Sequence, residues 1–77
     1  MDRAANPHTP RTLRVLADLT QIELAERAGI SDRTVRQLED GDDVTLDTLR
    51  RVAAALGVAF DVLVAAHDVQ RTRRGAA

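Results

Sequence analysis

Cysteine, tryptophan, tyrosine and lysine are all missing from this 77-residue chain, and Phe60 is its one aromatic residue. Without cysteine there is no disulfide and no thiolate metal site. His8 and His67 are the only histidines, and neither has a second ligand at helical spacing, so no metal or other cofactor is expected. One phenylalanine cannot build the aromatic platforms that stack single-stranded nucleic acid or flipped bases. The chain has no run of apolar residues long enough for a membrane span. Met1 to Pro10 is polar and lacks the apolar stretch of a signal peptide, so the cytoplasm is the expected compartment. Ser31 is the only serine, and no histidine or lysine stands where it would activate it. With no catalytic constellation in the chain, an enzyme is not expected.

What is present is charge and helical punctuation. All 11 basic residues are arginine, set against 12 acidic ones, for a net charge of -1. Arginine matters here because its planar fork binds guanine or phosphate through two N–H groups at once. A near-neutral balance argues mildly against a nucleic-acid partner. The distribution answers part of that objection: the excess acid lies within residues 21–63, and both ends are net basic. The length allows one small domain, burying only about 60–65% of its unfolded surface.

Four hydroxyl caps divide the chain. Thr9 precedes Pro10 and opens a helix over about 10–17, with Leu13, Leu16 and Ala17 at helical spacing. Asp18 follows where a left-handed residue is wanted, a conformation aspartate tolerates better than most. Thr20 and Glu23 form a capping box ahead of the stripe Leu24, Ala25 and Ala28, which Gly29 ends. Ser31 caps a third helix over about 32–39, with Val35 and Leu38 inward and Gly41 closing it. Thr45 caps a fourth, whose face is Leu46, Leu49, Val52, Ala53 and Leu56, ended by Gly57. Residues 58–66 read as a short fifth helix offering Phe60, Leu63 and Val64 to the core. Residues 1–8 carry no periodicity and read as a disordered arm ahead of a domain over 9–66. Residues 67–77 read as a frayed basic tail, in which Arg71, Arg73 and Arg74 either follow phosphates or only keep the chain soluble. His67-Asp68 beside a frayed end is read as inert rather than as a metal dyad, and a short tail strand stays open. The expected fold is all-α, five short helices around one core.

Helices 2 and 3 are joined by a turn of about three residues containing glycine, the geometry that sets the second helix across the first and into a DNA major groove. The segment T-Q-I-E-L-A-E-R-A-G-I-S-D-R-T-V-R-Q-L-E-D-G, residues 20–41, resembles the helix-turn-helix of lambda repressor-like, Xre-type regulators. L-D-T-L-R-R-V-A-A-A-L-G-V, residues 46–58, is similar to that family's fourth helix, and the resemblance spans about 11–66. It implies a compact five-helix DNA-binding domain whose partner is double-stranded DNA. It also implies a phosphate contact and a bracing role for Gln21, base or phosphate contacts for Asp32, Arg33, Arg36 and Gln37, and a phosphate contact for Thr34. Arg14 and Glu39 resemble a pair that the family buries between helices 1 and 3. Periodicity supports the outward row independently: with Val35 and Leu38 inward, residues 32, 33, 36 and 37 face out. Arginine suits guanine O6 and N7, glutamine suits adenine N6 and N7, and aspartate accepts from cytosine N4.

Two departures stand out. The loop after Gly41 is short, and Asp40, Asp42 and Asp43 stand where many relatives meet the DNA backbone, so they would repel phosphates. Ala59 replaces the hydroxyl that usually caps helix 5. The expected function is a sequence-specific transcriptional regulator, a repressor acting as a homodimer on a palindromic operator. Val62, Ala65 and Val69 are left over on helix 5 and beyond as an interface, in the region where relatives commonly dimerise. Two other settings stay open: the antitoxin of a toxin–antitoxin pair, with a toxin as partner, and a protein-interaction module that has lost DNA binding.

Overall fold

A computed structural model of the protein describes residues 8–75, with five α-helices and no strand among them. They are α1 (Pro10–Leu16), α2 (Gln21–Ala28), α3 (Asp32–Glu39), α4 (Leu46–Leu56) and α5 (Phe60–Gly75). Each of the first four begins at the hydroxyl the sequence supplies. The Thr9, Thr20, Ser31 and Thr45 side chains accept from the backbone N–H three residues on, at 3.3, 3.0, 3.1 and 3.1 Å. Each such cap stabilises its helix by about 1 kcal/mol. At α2 the box is complete, because the Thr20 N–H donates to Glu23 Oε1 at 2.8 Å. That backbone bond, with the Thr20 hydroxyl second, holds the Glu23 carboxyl below its usual range. Asp18 takes the left-handed conformation expected of it, at φ 61°.

The apolar stripes converge on one core, in which Leu24, Val35, Leu38, Val52 and Leu63 are essentially inaccessible. Burying each of these stabilises the fold by roughly 1.5–3 kcal/mol before chain entropy is charged. α2 packs on α3 and α4, α4 on α5, and α1 on α3 and α5. Two expected core residues are outside: Leu16 is 67% and Leu46 63% exposed. Both lie at helix ends. Leu16 closes α1, and the reversal at Asp18 hands its core place to Leu19; Leu46 opens α4 ahead of the buried Leu49, Val52 and Ala53.

The larger correction is at the C-terminal end. The fifth helix, expected over 58–66, starts at Phe60 and runs through to Gly75, so residues 67–75 are helix and not a frayed tail. Its anchor is the loop after α3. His67 is buried, and its Nε2–H donates to the Asp42 carbonyl at 2.9 Å. The Arg71 guanidinium meets the Asp43 carboxylate at 2.8 Å. Gly41, at φ +84°, lies so close to α5 that a Cβ there would stand 3.1 Å from the Gln70 carbonyl oxygen. An alanine would be strained both by this contact and by the backbone angle. At the other end, where no hydroxyl caps α5, the Arg50 guanidinium covers the Phe60 ring at 4.7 Å from its centre. The arm expected over residues 1–8 lies, apart from His8, outside the described residues, as do Ala76 and Ala77.

Candidate nucleic-acid interface

The turn between α2 and α3 is Gly29-Ile30-Ser31. Gly29 adopts φ 71°, the Ile30 N–H returns to the Ala25 carbonyl at 3.0 Å, and Ser31 immediately caps α3. Glycine permits this reversal because it has no Cβ to meet the next carbonyl. With Val35 and Leu38 fully buried, the register of α3 is fixed and its opposite face must meet solvent.

Glu39, the last residue of α3, ties that helix to two others. Its carboxylate accepts from Arg14 Nε at 2.5 Å, from Arg14 Nη2 at 3.2 Å and from Gln21 Nε2 at 3.1 Å. Arg14 Nη1 donates in turn to the Leu19 carbonyl at 2.9 Å. The side chains of Arg14 and Glu39 are only 11% and 6% exposed. A carboxylate so nearly dry is stable only because charge and hydrogen bonds meet it on both oxygens. The expected Arg14–Glu39 pair is therefore formed, and Gln21 is bonded to the end of α3 as a brace would be. The single cluster links α1, the start of α2 and the end of α3.

On the open face of α3, Asp32, Arg33 and Arg36 are exposed, while Thr34 and Gln37 are half-buried. The Thr34 hydroxyl is 2.8 Å from that of Ser31, at the entry of the helix. Arg36 Nη1 donates to Asp32 Oδ2 at 2.8 Å, one turn back, and this bond and charge hold the Asp32 carboxyl below its usual range. The side chains of Arg33 and Gln37 form no hydrogen bond or ion pair with the rest of the described residues. Two arginine forks and one carboxamide thus lie along one short helix, matched to the acceptor and donor edges that base pairs show in the major groove.

Arg11 is not among the residues expected at the site from sequence. With Arg14, Thr20, Gln21 and Ile22 it lines an open depression beside the start of α2. The signal was available, since Arg11 and Arg14 are three residues apart and share a face of α1. The acidic loop is also less free than its composition implies. Asp43 is paired with Arg71, and Asp42 is held through its carbonyl by His67. His67 is itself kept below its ordinary value, first by burial and then by the Arg71 charge, with Asp68 and Asp43 opposing. Among the described residues no three His, Asp or Glu side chains come together as a metal site, and no single helix is long and apolar enough to cross a membrane.

Comparison with protein families gives a match to a family model described as helix-turn-helix, over residues 11–63. Comparison with curated proteins gives no match.

Proposed function

The chain belongs to the Xre/lambda repressor-like helix-turn-helix family and is a DNA-binding regulator; on that premise we propose that it is a cytoplasmic, non-enzymatic repressor, binding a palindromic operator as a homodimer. The observation that carries this reading is the outward row Arg33, Arg36 and Gln37 on a helix whose end is locked by Glu39 to Arg14 and Gln21. In this reading α3 lies in the major groove and its row reads about three base pairs. Gln21 and Thr34 contact phosphates on either side, and Arg11 joins Gln21 from the neighbouring depression. Repression follows from occupancy of the operator, which excludes polymerase.

Dimerisation is argued from charge and surface together. With a net charge of -1 the protomer makes few phosphate contacts, so one half-site gives weak binding. The described domain measures 35 × 25 × 20 Å, a scale suited to one half-site when half-sites recur about every 34 Å. On α5, Val62 and Ala65 are exposed and Val69 is half-buried, an apolar strip opposite the face that packs on the loop. Two such strips meeting about a two-fold axis make a self-complementary interface.

Selection of bound sites from random duplex DNA tests the reading. The expected product is a palindrome with half-site centres about one helical turn apart. Enrichment of no sequence would refute sequence-specific binding, and enrichment of a single, non-repeated half-site would refute the dimer.

A further inference from the structure

We propose that Asp32 and Arg36 form one recognition unit, in which Arg36 reads a guanine and Asp32 both positions the Arg36 guanidinium and reads the amino group of an adjacent base. This rests on the operator-binding reading above and adds the base composition of the half-site. Both side chains are about half exposed, 49% for Asp32 and 52% for Arg36, and yet they are joined at 2.8 Å on the face of α3 turned away from the core. The bond uses Arg36 Nη1 and Asp32 Oδ2 only. It leaves the Nε and Nη2 edge of the guanidinium as a free fork, the shape that meets guanine O6 and N7. The Asp32 carboxylate also meets the backbone N–H groups of Asp32 and Arg33 at the start of α3, and with about four lone-pair sites it keeps acceptor capacity beside that fork.

A carboxylate alone on a DNA-facing helix would be repelled by phosphates. Joined to Arg36, its charge is compensated, and its remaining lone pairs can accept from cytosine N4 or adenine N6 and from no group on the major-groove edge of thymine or guanine. One helical turn separates the two residues, a rise of about 6 Å, so their reach covers neighbouring base pairs of about 3.4 Å spacing. A flexible arginine must otherwise be ordered on binding, and the i, i+4 pair removes part of that cost beforehand. α4 carries a second pair of the same kind, with Arg51 Nε bonded to Asp47 Oδ2 at 2.8 Å. It provides an internal control, since it has the same spacing and chemistry outside the recognition helix.

The test is site selection and duplex affinity for wild type, Asp32→Asn, Arg36→Ala and Asp47→Asn. Wild type is expected to select a guanine next to a cytosine or adenine. Asp32→Asn is expected to reduce discrimination at the guanine by about tenfold and to lose the neighbouring preference, while its affinity for non-specific duplex rises because an anion has left the interface. Arg36→Ala is expected to lose the guanine and to bind non-specific duplex more weakly. Asp47→Asn should select the wild-type bases. Guanine discrimination in Asp32→Asn within twofold of wild type would overturn the unit while leaving operator binding intact. A wild type that enriches no sequence would overturn the operator reading and the unit with it.

Discussion

Removing the Glu39 carboxylate perturbs the cluster that holds α3 in place. In Glu39→Ala the Arg14 guanidinium, 11% exposed, loses two of its three bonds, and Gln21 loses its acceptor. Breaking a buried ion pair from one side costs about 3–5 kcal/mol, chiefly because a charge is left unpaired. The lower end applies here, because Arg14 keeps its bond to the Leu19 carbonyl. For a domain of this size about 3 kcal/mol corresponds to a fall in Tm of roughly 12–24 °C. Replacing both partners by apolar residues of similar size, Arg14→Met with Glu39→Leu, leaves no buried charge behind. That double variant is expected to lose about 1 kcal/mol or less, and so to melt well above Glu39→Ala. Thermal melts followed by far-UV circular dichroism at neutral pH compare the three proteins. Equal and negligible losses would show that the cluster contributes nothing, and a double variant less stable than Glu39→Ala would show that stability comes from the ion pair itself and not from avoiding an orphaned charge.

The remaining predictions concern base reading, assembly and pH. Gln37→Ala removes no charge, so it should lower affinity for the selected operator by about 1–3 kcal/mol with little change in non-specific binding; unchanged operator affinity in a fluorescence-anisotropy titration would remove Gln37 from the reading row. Val62→Asp is expected to leave the helix content intact and to convert a dimer into a monomer in sedimentation at tens of micromolar; a wild type that is monomeric there and on DNA would give the α5 strip to another partner. Because burial and Arg71 hold His67 below its ordinary 6.5, the unfolded chain takes up the proton first. Stability is therefore full above about 6.5 and falls as the pH drops below it. His67→Gln, which keeps a donor for the Asp42 carbonyl but does not titrate, should flatten the dependence of Tm on pH between about 7.5 and 5.5, where carboxylates change little; an unchanged slope would clear His67 of the effect.

The parts of the fold that were legible in the sequence are those decided within a few residues. Thr9, Thr20, Ser31 and Thr45 each cap a helix, and Asp18 takes its left-handed turn, because these choices depend on local hydrogen bonds and sterics. The second half of α5 was not legible. Past Ala66 it is held by His67, a polar residue whose hydrogen-bond partner lies in a loop 25 residues earlier, and by the close approach of the Gln70 backbone to Gly41 of the same loop. A polar residue with a distant partner looks in sequence like one facing solvent. Leu16 and Leu46 erred the other way, since helical spacing assigns a face without saying where the helix leaves the core. At the candidate site, Val35 and Leu38 set the outward row by periodicity alone. The Arg14–Glu39 pair came from family resemblance and not from spacing. The link from Asp32 to Arg36 was visible as an i, i+4 pair, but its meaning depends on the face that α3 presents.

Backbone amide shifts of the labelled protein, followed by NMR during titration with the selected operator duplex, locate the surface that meets DNA. The expected result is a set of large shifts confined to Arg11 in α1, to the start of α2 at Gln21 and to residues 31–37 of α3, with α5 changing only where protomers touch. Shifts that spare Arg33, Arg36 and Gln37 while another face responds would contradict the assignment of α3 as the reading helix.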